Sequence, residues 1–140
     1  MNKKNKPIWA TRIKANTSNI FERVSSSIDV DKRLFKQDII GSIAHVEMLY
    51  KQKIINLKIK NKIVWGLNKI QNQIIKKQYS FNYKDEDIHM SIEKKLFELV
   101  GDDAGYIHTA RSRNDQVLVD LKIWMINSNE KLIKMLDQTI

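Results

Sequence analysis

The chain has 140 residues, no cysteine, and 25 Lys and Arg against 16 Asp and Glu, a net charge of +9. That length supports one domain with a modest core. The lack of cysteine excludes a disulfide framework and a thiolate zinc site, and no apolar run is long enough to span a bilayer.

Net positive charge raises nucleic acid as a partner, but its distribution speaks against that. Residues 1–84 hold 18 basic and 5 acidic side chains, net +13, whereas residues 85–140 hold 7 and 11, net −4. The excess is lysine scattered along helical segments, without zinc-finger spacing or aromatic–basic interleaving. The expectation is a solvated basic face and neither a nucleic-acid nor a membrane partner. The basic start, Met1 to Lys6, is not followed by an apolar stretch or a cleavage site, so the expected location is the cytoplasm.

Residues 1–20 contain the one proline, Pro7, and read as irregular, with Trp9 as an apolar contact. Residues 21–31 mix hydroxyls and carboxylates, including Ser27 and Asp31, and on composition form a loop that caps the next helix. A helix is predicted over 32–55 from Leu34, Ile39, Ile43, Val46, Tyr50 and Ile54. Gly41 in its middle costs roughly 1 kcal/mol against alanine, so close packing is expected there. His45 on this helix is read as structural. A second helix, about 60–77, carries the stripe Ile63, Leu67, Ile70 and Ile74, with Trp65 and Gly66 off it. Residues 78–84 read as a connecting loop.

Asp85, Glu86 and Asp87 open a third helix, where first-turn acids complement the helix dipole. Ile88, Ile92, Leu96 and Leu99 supply its core face, and Gly101 ends it. His89 has no second ligand at metal spacing, so no metal is expected. A short link over 102–107 leads to the densest polar run, His108 to Val117. Two of the chain's five arginines, Arg111 and Arg113, fall close together there, although lysine is four times commoner. A guanidinium fork fits carboxylate or phosphate in a way lysine does not. The apolar positions Val117, Leu121, Trp124, Met125, Leu132 and Leu136 follow, which places the run at a helix N-terminus, a ready anion site. On residue types alone the plainer reading is preferred: Ser112 or Asn114 caps the helix, and the arginines are solvated or paired with Asp102 and Asp103. The apolar pattern continues to Ile140, which reads as a fragment of a longer protein.

The string Thr109 to Val117, TARSRNDQV, resembles the hallmark of the argininosuccinate lyases, members of the fumarase/aspartase superfamily. Asp38-Ile39-Ile40-Gly41-Ser42-Ile43-Ala44-His45 is similar to that family's Asp-x-x-Gly-Ser-x-Ala-His. Glu86-Asp87-Ile88-His89, then Glu93, Leu96 and Gly101, also match. So do Ser27 and Asp31 of a Ser-Ile-x-x-Asp step. Of the family's Trp-Gly-Gly-Arg-Phe, only Trp9 and Arg12 are kept; Ala10, Thr11 and Ile13 depart from it. The resemblance runs from Trp9 onward and covers about the N-terminal third of the family's length.

The resemblance implies an all-α fold: an N-terminal helical domain over 1–111 with an irregular leader, and over 112–140 the start of the first long helix of a central bundle. It implies β-elimination of argininosuccinate to arginine and fumarate, a step of arginine biosynthesis, with no cofactor. It offers Ser27, Asp31, Asp87, Thr109, Ser112, Arg113 and Asn114 as substrate-binding residues. Asp31 would meet a guanidinium, Asp87 would position a base or substrate nitrogen, and Arg113 would face a succinyl carboxylate. The family's Thr-His base motif and mobile serine loop lie downstream of residue 140, so no catalytic acid or base is assigned. Family sites are shared between subunits of a homotetramer, which predicts that this chain alone is inactive. Two other readings remain: a different superfamily member, such as an adenylosuccinate lyase or aspartase, and a non-catalytic helical module or inactive lyase-like relative.

Overall fold

The computed structural model describes residues 24–139. The positions of Trp9, Ala10, Thr11 and Arg12 lie outside them. In chain order come α1 (Ile28–Asp31), a 3-10 turn (Lys32–Leu34), α2 (Phe35–Lys51), α3 (Leu57–Ile75), a 3-10 turn (Tyr83–Asp85), α4 (Ile88–Val100), a 3-10 run (Gly101–His108) and α5 (Arg113–Asp137). The all-α expectation holds, and among the described residues no strand forms.

The core lies where α2, α3 and α4 meet. Asn56 starts α3 by accepting a hydrogen bond from the Ile59 amide at 2.9 Å, a standard N-cap. Its predicted stripe is confirmed: Ile63, Leu67 and Ile70 are fully buried. They face Ile39, Val46 and Leu49 of α2 and Ile88, Ile92 and Leu96 of α4 in one apolar cluster. The tight contact is at Gly66, where a Cβ would lie 2.5 Å from Leu96 Cδ1 and 3.0 Å from Val100 Cγ1. Gly41 differs from expectation, because a Cβ there would meet nothing closer than Arg111 Nη2 at 3.4 Å, which is ordinary contact.

Three boundaries differ from the sequence reading. The segment expected to be a capping loop contains α1, and Ser27 occupies its N-cap position without a side-chain cap. Helix α2 ends at Lys51 because Lys53 takes a left-handed turn (φ 59°). That turn exposes Ile54 and buries Ile55 in its place. The three acids do not share the first turn of α4. Asp85 pairs with Lys94, Glu86 adopts φ 48°, and Asp87 alone caps the helix by accepting from the Met90 amide at 2.7 Å. The backbone explains this: the Glu86 carbonyl accepts from the Ser27 amide at 2.7 Å, so the chain turns before the helix begins. Gly101 ends α4 at φ 68°, as expected.

Helix α5 begins where predicted, but its predicted stripe is not its buried face. Val117, Leu121, Trp124, Met125, Leu132 and Leu136 are 42–63% exposed. The buried residues of α5 are Gln116 and Asp120. The helix packs on α2 through its early turns, and the polar side of those turns faces the core.

Candidate anion site at the start of α5

The polar run turns sharply before the helix. Ala110 takes φ 51°, a left-handed conformation that costs a non-glycine residue about 1–2 kcal/mol. Ser112 then caps α5 in a capping box: its Oγ accepts from the Asn114 amide at 3.2 Å, and its own amide donates to Asp115 Oδ2 at 3.1 Å. The plainer expectation, a serine cap, is therefore met. The expected pairing of the arginines with Asp102 and Asp103 is not; Asp103 pairs with Lys62 at 2.6 Å.

Arg113 is held between two carboxylates of α4. Its Nε lies 3.4 Å from Asp87 Oδ2 and its Nη2 3.6 Å from Glu93 Oε2. Nη1 is buried and has no hydrogen-bond partner among the described residues. A buried guanidinium nitrogen without an acceptor is costly, so this atom marks where an anion would be welcome. Asn114 is exposed in the same first turn.

Behind Asp87 sits a strut built from Ser27 and Asp31. Ser27 Oγ donates to Asp31 Oδ2 at 2.6 Å, and Asp31 Oδ1 accepts from the Ile88 amide at 3.1 Å. Burial pushes the Asp31 pKa up; Ser27 opposes and Asp87 adds to the rise. The structure thus gathers Ser27, Asp31, Asp87 and Arg113 around the first turn of α4, and Ser112 and Asn114 flank Arg113 in the chain. Both Asp31 oxygens have partners within the chain, so a substrate guanidinium would have to share them. The Thr109 carbonyl accepts from His45 Nε2 of α2 at 3.0 Å. Burial, then the neighbouring Arg111, hold the His45 pKa down.

Beneath this surface lies a cluster that sequence reasoning did not assemble. His89 Nδ1 is 2.7 Å from Asp38 Oδ1 and 3.7 Å from Asp120 Oδ2, and all three side chains are at most 2% exposed. Gln116 Nε2 approaches Asp38 Oδ1 at 3.4 Å. Arg111 Nη1 donates to Ser42 Oγ at 3.0 Å, and its charge acts on both aspartates. Burial lowers the His89 pKa, but the hydrogen bond and charge of Asp38, with Asp87 and Asp120, raise it above its ordinary value. Burial pushes Asp120 up to about 7; Asp38 adds to this, while His89 and Arg111 oppose it. Neither Asp120 oxygen has a hydrogen-bond partner among the described residues.

The ligand atoms of Asp38, His89 and Asp120 all lie within 4.8 Å of one another, so the fold supplies the companions for His89 that sequence spacing lacked. Their chemistry here is that of a buried cluster joined by hydrogen bonding and charge. Nδ1 is committed to Asp38, and Arg111 supplies further positive charge from the protein itself. Helical spacing carried the signal: Asp38, Ser42 and His45 follow i, i+4, i+7, and Arg113, Gln116 and Asp120 follow i, i+3, i+7.

Fold and site together define a helical protein with a guanidinium-bearing helix N-terminus braced by carboxylates from a neighbouring helix. The pattern of the lyase family matches residues 11–140, and the chain belongs to that family. It is 57% identical over 139 residues to the argininosuccinate lyase of Pelagibacter ubique, covering 99% of this chain and 30% of that protein. It is 44% identical over 129 residues to the argininosuccinate lyase of a Nitratiruptor species and 45% identical over 129 residues to that of Bartonella bacilliformis. Each of these two matches covers 92% of this chain and 28% of the relative. The chain therefore spans a little under a third of the length of these relatives.

Proposed function

We propose that the chain is the N-terminal part of an argininosuccinate lyase, an enzyme that eliminates fumarate from argininosuccinate and leaves arginine. The observation that carries this is Arg113, fixed by Asp87 and Glu93 with Nη1 buried and unpartnered among the described residues, at the capped start of α5. In a β-elimination a base removes the proton beside a carboxylate, and negative charge gathers on that carboxylate as the C–N bond breaks. Preorganised donors aimed at that charge are the chief catalytic need. Arg113, the Asn114 amide group and the first-turn N–H groups suit the succinyl carboxylate. Asp87, and the carboxylate of Asp31, suit the guanidinium end. Ser27, Thr109 and Ser112 would add hydroxyls. No base or leaving-group acid is assigned within this chain.

The partner in this reading is argininosuccinate, in a site completed by the remainder of the enzyme and by neighbouring subunits of a homotetramer. The exposed apolar face of α5, from Val117 to Leu136, supports the assembly; it suits the first helix of a central bundle beginning near Ser112. The cytoplasm is the proposed location. Among the described residues no helix is long and apolar enough to cross a membrane.

A chimera tests the proposal. This chain replaces the matching N-terminal 30% of the Pelagibacter relative, and fumarate release is followed by absorbance. The chimera should release fumarate, and Arg113→Ala in it should lower kcat/KM by about 100-fold or more, the scale of losing one preorganised donor. A folded tetrameric chimera without fumarate release would sink the proposal. The 140-residue chain alone should release none.

A further inference from the structure

The cluster beneath the site lies where α2, α4 and α5 meet. Asp120 is 0% exposed. It lies seven residues after Arg113, two turns along the same face of α5. Gln116, between them on that face, reaches Asp38 of α2. His89 stands two residues after Asp87 in the first turn of α4 and bonds Asp38. Helix α4, whose Asp87 and Glu93 grip Arg113, thus also supplies His89 to the buried centre on which α5 is seated.

We propose that Asp120 is a positioning residue of the anion site: its carboxylate draws the His89 ring and the Arg111 guanidinium inward, and thereby seats the first turn of α5 so that Arg113 meets Asp87. This rests on the lyase reading only for what the site binds. The geometry supports it independently. Asp120 lies 3.7 Å from His89 Nδ1 and would lie 3.6 Å from a Cβ on Gly41, where Arg111 would lie 3.4 Å away. Both charged groups thus lie against α2 beside Gly41. Both Asp120 oxygens are buried without a hydrogen bond among the described residues, so the carboxylate acts on its neighbours through charge rather than through a fixed bond.

The charged groups that face Asp120 are Asp38 on α2, His89 on α4, Arg111 in the turn before α5, and Asp31 at the end of α1. Two are negative and two are positive once His89 is protonated. With Asp120 neutral, its hold on His89 and Arg111 is lost. With Asp120 ionised, the hold returns, against the repulsion of Asp38. The seating of Arg113 should then follow the ionisation of Asp120, whose folded value is about 7.

NMR of the 140-residue chain tests this without any substrate. The Arg113 Nε–Hε signal, the His89 ring nitrogens and the Asp120 carboxyl carbon are followed from about pH 5 to about pH 9, a range that spans a histidine titration. The expected result is that the Arg113 signal moves with the Asp120 midpoint. In Asp120→Asn that movement is lost and the His89 midpoint falls, while helix content by circular dichroism is retained. An Arg113 signal that stays flat while Asp120 titrates overturns the proposal, and this outcome needs no variant. So does an Arg113 signal that still moves with the wild-type midpoint in Asp120→Asn. A failed chimera would retire the lyase reading and leave this result standing.

Discussion

Two seams meet in this molecule, and they are built from opposite materials. Between α3 and α4 the contact is hydrocarbon: Ile63, Leu67, Ile70, Ile92 and Leu96 are at most 1% exposed, and Gly66 lets the helices touch. Between α5 and its neighbours the buried residues are Gln116 and Asp120, facing Asp38, Ser42 and His89. The first seam gains stability from area removed from water. The second buries charge, which generally contributes little net stability and often costs some. The candidate anion site sits on the second. Residues there are placed for what they hold in position, and the apolar seam supplies the stability that permits it.

The largest expected difference comes from cutting the apolar seam. Leu96→Ala removes a fully buried side chain that touches the Gly66 position. It should destabilise the fold by about 3 kcal/mol, within the range for buried leucine truncation, measured by urea denaturation. A loss under about 1 kcal/mol would break the comparison, because the seam assigned the load would not carry it.

The polar seam should respond to pH, with a definite sign. Asp120 rises from 3.8 to about 7 on folding. Below about pH 4 it is neutral in both states. As pH rises the unfolded chain ionises first, so stability falls until Asp120 ionises in the folded state near 7. His89 acts in the same direction: raised above 6.5, its contribution is full below 6.5 and is lost as pH climbs through its folded value. His45, held below 6.5 by burial, opposes this and costs stability as pH drops below 6.5. Asp120→Asn should therefore be more stable than the native chain at pH 8, by at most about 4 kcal/mol, the upper bound from a shift of this size. The gain should vanish near pH 4. A uniform loss across this range would mean that the charge is stabilising and that the two seams are alike.

The apolar seam was legible in the sequence and the polar seam was not, for a physical reason. Ile63, Leu67 and Ile70 repeat at helical spacing, and burial of such a stripe is the default. Ser112, Asp87 and Gly101 also announce themselves, because caps depend on local backbone geometry. Asp38, His89 and Asp120 come from three helices, and each looks like an ordinary surface or capping residue in its own segment. Only the packing of α5 on α2 brings them together. The apolar stripe of α5 placed the helix but not its packing: within residues 24–139 the face of Val117, Leu121 and Trp124 is exposed. Of the residues named from the family resemblance, Ser27, Asp31, Asp87 and Arg113 converge in space, and Glu93 joins them as a grip on Arg113.

The two mid-helix glycines give the smallest and sharpest contrast. Each costs its helix roughly 1 kcal/mol relative to alanine, so in empty surroundings both alanine variants would be stabilising. At Gly66 the added methyl would lie 2.5 Å from Leu96 Cδ1 and 3.0 Å from Val100 Cγ1. Overpacking of about 1–3 kcal/mol then outweighs the propensity gain, and Gly66→Ala should lower stability by about 1 kcal/mol. At Gly41 the nearest neighbours stand at 3.4 and 3.6 Å, and two of the three are polar atoms of Arg111 and Asp120. Gly41→Ala should raise stability by about 0.5 kcal/mol, since most of the propensity term survives. The same methyl would narrow the space these two charged groups occupy against α2. If Asp120 seats Arg113, the alanine at 41 should gain stability while shifting the Arg113 Nε–Hε signal, and the alanine at 66 should lose stability and leave that signal in place. Equal signs for the two stability changes would erase the distinction between the seams at the positions where one atom separates them.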